Sequence, residues 1–187
     1  MNLLVLGPQG SGKGTQARRI SGVHGIPHVS TGDMFRAAIA ACTPLGNEVA
    51  PILASGELVP DQLTVALIRD RLGEEDALRG FVLDGFPRNL EQAEALDEML
   101  ADIGRGIDHV LFFDVSDELA AERMRGRAAA EGRPDDTPEI VARRLAIYHE
   151  QTEPVVDRYR AAGILIRLHA ELSVDEVSKQ ILEALRS

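Results

Sequence analysis

Short apolar runs alternate with longer segments of helical period along the chain. The strand-like runs are Leu3–Leu6, His28–Val29, Phe81–Leu83, Val110–Phe113 and Ile164–Leu168. Between them the helical pattern covers Thr15–His24, Leu63–Leu72, Leu90–Leu100, Leu119–Arg125, Glu139–Ala161 and Val174–Leu185. Strands that are apolar on both faces and separated by helices predict right-handed βαβ units, hence a parallel five-stranded sheet covered by helices on both sides. Thr43-Pro44 and Thr137-Pro138 read as N-caps with proline at the first helical position, and Ser173 with Glu176 as a capping box. Two regions break the alternation. From Thr31 to about Leu72 helix follows helix with no strand, which predicts a small helical insert beside the sheet. From Ala128 to Asp136 the residues are small and polar, punctuated by glycine and proline, and predict a loop.

At 187 residues the chain suits one well-filled core, and 44% apolar with 27% charged residues is ordinary for a globular domain. No apolar stretch reaches the roughly 18 residues of a membrane span, and the N-terminus lacks the features of a secretory signal. A cytoplasmic location is expected. The single cysteine, Cys42, allows no internal disulfide and no multi-thiolate zinc site, and is expected as a small buried hydrophobe. The five histidines, His24, His28, His109, His149 and His169, show no metal-ligand spacing and are read as structural or solvated. A net charge of −10 argues against a nucleic-acid polymer as partner. Six arginines between Arg123 and Arg144 locally reverse that sign and suit a small polyanion.

The most specific chemistry lies in Gly7-Pro8-Gln9-Gly10-Ser11-Gly12-Lys13-Gly14-Thr15, directly after the first strand. Glycines let the backbone wrap phosphate oxygens with its N–H groups, the following helix turns its positive end to the same place, and Lys13 adds a cation. Gly14 stands where the general P-loop pattern has Ser or Thr, and Thr15 comes one position later. Phe81-Val82-Leu83-Asp84 is a buried strand ending in an acid, at the sheet edge where ligands of open α/β folds sit, so Asp84 is a candidate to organise Mg²⁺ through water. Arg88, close after that strand, can grip a phosphate in bidentate fashion.

These segments, with Ser30-Thr31-Gly32-Asp33-Met34-Phe35-Arg36, with Asp84-Gly85-Phe86-Pro87-Arg88 and with the arginine-rich loop before Asp135-Asp136, occur in the same order as in adenylate kinases, and the chain resembles that family over essentially its whole length. The resemblance implies a P-loop three-layer α/β fold in one domain: a core of about 1–29, 73–126 and 137–187, an insert of about 30–72 that binds the nucleoside monophosphate, and a short lid of about 127–136. It implies reversible Mg²⁺-dependent phosphoryl transfer from ATP to AMP, giving two ADP; the lone Cys42 leaves no structural zinc, and the acidic charge fits a monomer. Gly10, Ser11, Gly12, Lys13, Gly14, Thr15, Arg123 and Arg127 would bind ATP. Thr31, Arg36, Gly85, Arg88 and Gln92, with the backbone of Glu57, Leu58 and Val59, would form the AMP site. Lys13, Arg88, Arg123, Arg133 and Arg144 would be catalytic, the last two also reaching AMP, and Asp135 and Asp136 would orient lid arginines. Arg125, Arg143 and Arg158 are given surface roles. Only Ala128 to Gly132 separate Arg127 from Arg133, so the lid is short, and His169-Ala170-Glu171 replaces an Asp-Gly pair common among relatives near the ATP adenine. A UMP/CMP kinase on the same fold is the nearest alternative, though Thr31 and Gln92 favour AMP. A nucleotide-dependent switch protein would need a guanine-reading Asn/Thr-Lys-x-Asp motif that the two lysines, Lys13 and Lys179, do not supply.

Overall fold

The computed structural model describes residues 1–131 and 137–186, with backbone alone for 128–131. Five parallel strands, β1 (Asn2–Leu6), β2 (His28–Ser30), β3 (Phe81–Asp84), β4 (His109–Asp114) and β5 (Leu165–His169), form one sheet in the order β2-β3-β1-β4-β5. Each sequence-read strand is present, one residue longer at one or both ends or shifted by one.

Both faces of the sheet are covered because both faces of its strands are apolar. On β1 the side chains alternate. Leu4 and Leu6 join a core with α4 (Asp61–Leu72), α5 (Leu90–Ala101) and α8 (Glu153–Ala161), through residues such as Ile68, Leu96 and Val155. Leu3 and Val5 join the opposite core with α1 (Lys13–His24) and α9 (Val174–Ala184), through Ile20 and Ile181. Fully burying each such side chain contributes about 1.5–3 kcal/mol, so the sheet and its two helical layers are mutually dependent.

The stretch without strands is α2 (Thr31–Ala40), α3 (Pro44–Ser55) and α4. Thr43 caps α3 by accepting from the Gly46 N–H at 3.0 Å, with Pro44 at the first helical position. These helices share a separate small core of Phe35, Val49 and Val59, so the insert is held together partly by itself. Cys42 is exposed in the tight turn between α2 and α3, with φ +52°, and not buried as expected. The turn demands a compact residue on the outside, and the insert's own core is filled by its longer apolar side chains.

Two further boundaries differ from the sequence reading. α6 (Asp117–Glu131) runs on through 128–131, where a loop was expected, because Ala-Ala-Ala-Glu is strongly helix-forming and the first breaker is Gly132. The helix expected over Glu139–Ala161 consists of α7 (Pro138–Ile147), a π-helical turn at Tyr148–Thr152, and α8. Pro154 lacks an N–H and crowds the carbonyl one turn back, so the helix widens just before it.

The strand order reverses direction at β1. The chain builds β2 and β3 on one side, then crosses to β4 and β5 on the other. Such a switch point opens a crevice at the carboxyl ends of the central strands. The register sets Val5 beside Asp84 and Leu6 beside Phe112, so the loop after β1 emerges between the ends of β3 and β4.

Candidate active site

The glycine-rich loop, residues 7–12, fills that crevice mouth. Gly7, Gly10 and Gly12 all have positive φ, at +146°, +84° and +88°. At Gly10 the requirement is absolute, since a Cβ would lie 2.2 Å from the Ala120 carbonyl oxygen of α6. Gly14 has a different reason: a Cβ there would come within 3.2 Å of the Asp84 carboxylate. The residue that departs from the general P-loop pattern is thus the one that faces the acid. Gln9 Oε1 and Ser11 Oγ are buried in this loop without a protein partner among the described residues. Buried polar atoms are ordinarily hydrogen-bonded, so these two are available to a ligand or to water in the loop.

Lys13 extends along the loop and donates to the Pro8 carbonyl at 3.0 Å. Burial, with Arg88 and Arg127 nearby, outweighs the pull of Asp84 and lowers its pKa to about 8. Asp84 is almost completely buried at the end of β3. Burial works to raise its pKa, but His28, Lys13 and Arg88 prevail, and the carboxyl stays below the usual range. His28 Nε2 lies 3.3 Å from Asp84 Oδ2.

Lys13 and Asp84 open onto a cleft of about 510 Å³. Gly10, Ser11, Gly12, Gly14, Thr15, Arg36, Glu57, Gly85, Arg88, Arg123, Arg127 and Arg144 line it too, and so does the segment Ala170 to Val174. Arg123 Nη1 donates to the Ala170 carbonyl at 2.8 Å, which ties α6 to the loop before α9. Arg88 Nε donates to the Gly85 carbonyl at 2.8 Å, while its own carbonyl accepts from Thr152 Oγ1 at 2.7 Å, across the π-helical turn. Burial lowers the Arg88 pKa, against Asp84, but a guanidinium remains charged. Arg36 pairs with Asp33 at 2.5 Å, and Arg144 reaches the Leu53 carbonyl of the insert at 3.5 Å.

A second, smaller cavity adjoins the first at Gly85 and Arg88 and is lined by Thr31, Glu57, Leu58, Val59 and Gln92. Thr31 Oγ1 donates to the Gly85 carbonyl at 2.9 Å. Of the residues selected from the sequence, all but three therefore meet at two adjoining cavities; Arg133, Asp135 and Asp136 lie outside the described residues.

Several neighbours carried no sequence signal. His28, read as structural or solvated, touches the site acid. Gln16, on the first turn of α1 and 3% exposed, donates from Nε2 to the Val174 carbonyl at 2.7 Å and accepts from Ser178 at 2.8 Å, so it pins the α9 loop to the P-loop helix. Arg143, given a surface role, forms an ion pair with Glu57 that links α7 to the insert. Asp61 accepts from Gln92 and Asn89. Arg158 pairs with Asp97 at 2.7 Å on the surface, as expected.

A parallel sheet with a P-loop at its switch point, and a cation-lined cleft beside a second cavity, places the protein among the P-loop nucleotide-binding proteins. The adenylate kinase family model matches residues 5–164. Curated adenylate kinases are similar over the whole chain. That of Xanthomonas euvesicatoria pv. vesicatoria (strain 85-10) is 49% identical over 185 residues, 99% of either chain, and that of Stenotrophomonas maltophilia (strain K279a) is 48% identical over 187 residues, 100% of either chain. The chain belongs to the adenylate kinase family, and it is a nucleoside monophosphate kinase.

Proposed function

We propose that the protein transfers the γ-phosphoryl group of ATP to AMP, reversibly, giving two ADP. The observation that carries this reading is the pair of adjoining cavities that meet at Gly85 and Arg88, one built on the P-loop and the other on the insert. A lone nucleotide-binding protein has no use for the second cavity or for the cations between the two.

On this reading ATP takes the P-loop from Gly10 to Thr15, its phosphates against Lys13 and its base between Arg123 and the Ala170–Val174 segment, with Arg127 above. AMP takes the place of the smaller cavity, which at about 20 Å³ must widen by movement of the insert, its phosphate toward Arg36 and Arg88 on the cleft side and its base near Thr31, Gln92 and the backbone of Glu57, Leu58 and Val59. An oxygen of the AMP phosphate attacks the γ-phosphorus, and the bond from that phosphorus to the β–γ bridging oxygen breaks. The attacking oxygen is already anionic near neutral pH, since the second phosphate pKa is about 6, so no general base is needed. What the protein supplies is in-line positioning and neutralisation of the charge on the transferred group, by Lys13, Arg88, Arg123, Arg133 and Arg144.

The donor set suits Mg²⁺. Asp84 is one ionised carboxylate at the cleft floor beside the P-loop, and a hard cation that keeps most of its water needs only one or two carboxylates plus substrate phosphates. Asp84 would help hold the ion, which would supply positive charge against the triphosphate. Closure of residues 30–72 over AMP would exclude water and so protect the phosphoryl group from hydrolysis. No single helix among the described residues is long and apolar enough to cross a membrane.

The test is ADP formation from ATP with AMP, CMP, UMP or GMP as acceptor, with Mg²⁺ and with excess chelator. Activity with AMP that chelation removes is expected. Preference for CMP or UMP would overturn the acceptor assignment, and transfer undiminished by chelation would overturn the role of the metal.

A further inference from the structure

The hydrogen bonds around Gln92 have a consequence for specificity. Gln92 sits in the first turn of α5, 2% exposed, and lines the smaller cavity. Its Oε1 accepts from the Arg88 main-chain N–H at 2.8 Å, and its Nε2 donates to Asp61 Oδ1 at 2.6 Å. Asn89 caps the helix by accepting from the Gln92 N–H at 2.8 Å and donates to both Asp61 oxygens at 3.0 and 3.1 Å. Asp61 opens α4 in the insert, so the cluster joins insert to core.

Both anchors of the amide are chemically one-way. An ionised carboxylate only accepts, and a main-chain N–H only donates. Turning the amide over would set oxygen against the Asp61 carboxylate and N–H against the Arg88 N–H. In its observed orientation the amide keeps one N–H and one Oε1 lone pair for another partner. Those suit adenine, whose 6-amino group donates and whose N1 accepts. Guanine and hypoxanthine present the reverse, a 6-oxo acceptor beside an N1–H donor, and would need the amide turned over.

We propose that Asp61 is a specificity-determining positioning residue: by locking the Gln92 amide in one orientation it makes the acceptor pocket take a 6-amino purine and reject a 6-oxo purine. This rests on the acceptor reading under Proposed function.

The test compares kcat/KM for AMP and for inosine 5′-monophosphate, whose base carries the reversed edge without guanine's extra amino group, in the wild type, Asp61→Ala and Asp61→Asn. An asparagine can give its oxygen to the Asn89 amino group and turn its own amino group toward Gln92, where it pairs with a turned amide, so Asp61→Asn should relax selectivity while keeping the contact and the fold. The AMP-to-IMP ratio should fall by about tenfold in both variants, with KM for ATP unchanged, because a turned amide then opposes only the Arg88 N–H and no longer the Asp61 carboxylate as well. A loosened insert would weaken both acceptors alike and leave the ratio in place. A ratio within about twofold of wild type in Asp61→Asn, whatever kcat does, would overturn the lock. If Asp61→Ala does not fold, the near-isosteric Asp61→Asn decides. A wild type that prefers CMP or UMP to AMP would instead overturn the acceptor reading, which separates the two failures.

Discussion

Raising the pH through the titration of Lys13 should weaken ATP binding by an amount that the site geometry sets. Lys13 is enclosed by the loop, shares its surroundings with Arg88 and Arg127, and has a pKa lowered to about 8 despite Asp84. A polyanionic triphosphate binds the ammonium form, so each ATP bound above pH 8 must draw a proton onto Lys13. With a pKa near 8, about three-quarters of the protein carries that proton at pH 7.5 and about a tenth at pH 9, so affinity should fall by about eightfold between them. ATP is fully ionised across this window and does not mask the effect. Calorimetric titration at constant ionic strength, repeated in buffers of different ionisation enthalpy, reads both affinity and proton uptake; uptake should approach one proton per ATP near pH 9. The same shift has the opposite sign for stability. Between about pH 8 and the ordinary lysine value near 10.4 the unfolded chain holds a proton that the folded one has lost, so this group's contribution to nucleotide-free stability grows with pH. Affinity that stays flat to pH 9 with no proton uptake would refute the reasoning.

The remaining expectations are more compact. Arg88→Ala removes a buried cation from the junction of the two cavities and should cost about a hundred- to a thousandfold in kcat, measured by coupled ADP assay; a loss below tenfold would place Arg88 outside the transition-state contacts. Gly46→Ala would set a Cβ 2.1 Å from the Ala38 carbonyl oxygen, where α2 and α3 touch. It should destabilise the insert by about 1–3 kcal/mol, with hydrogen exchange rising in residues 31–72 before the sheet. His149 is bonded to Glu153 at 3.0 Å and Asp117 at 2.9 Å, which raise its pKa above 6.5. Because the folded-state value is the higher one, that bridge's contribution is complete below about pH 6.5 and fades as pH rises through the folded value. Thermal scans should show a small fall over that range that His149→Ala removes; an unchanged slope in the variant would exclude the bridge.

Much of this protein could be read residue by residue. The P-loop is local chemistry, in which a few backbone dihedrals that glycine tolerates, one lysine and a helix start lie within nine consecutive positions. Strands apolar on both faces announced a covered parallel sheet, and the Thr-Pro pairs and the Ser173–Glu176 box marked helix starts that the structure places where the sequence did. The extension of α6 through Glu131 was also local; the three alanines outweighed the glycine and proline that follow. Cys42 was misjudged because exposure depends on which way a turn faces, a property of the insert's packing.

Tertiary structure alone decided the strand order, and with it which strand ends surround the P-loop. It brought His28 to Asp84 across 56 positions and Thr152 to the Arg88 carbonyl across 64. It also set the charge state of Lys13 and the orientation of the Gln92 amide, which follow from burial and from partners in other elements. Propensity, capping and glycine dihedrals act between near neighbours, so sequence records them directly. Desolvation, charge pairing and hydrogen-bond direction depend on distances that exist only after the two helical layers have closed on the sheet.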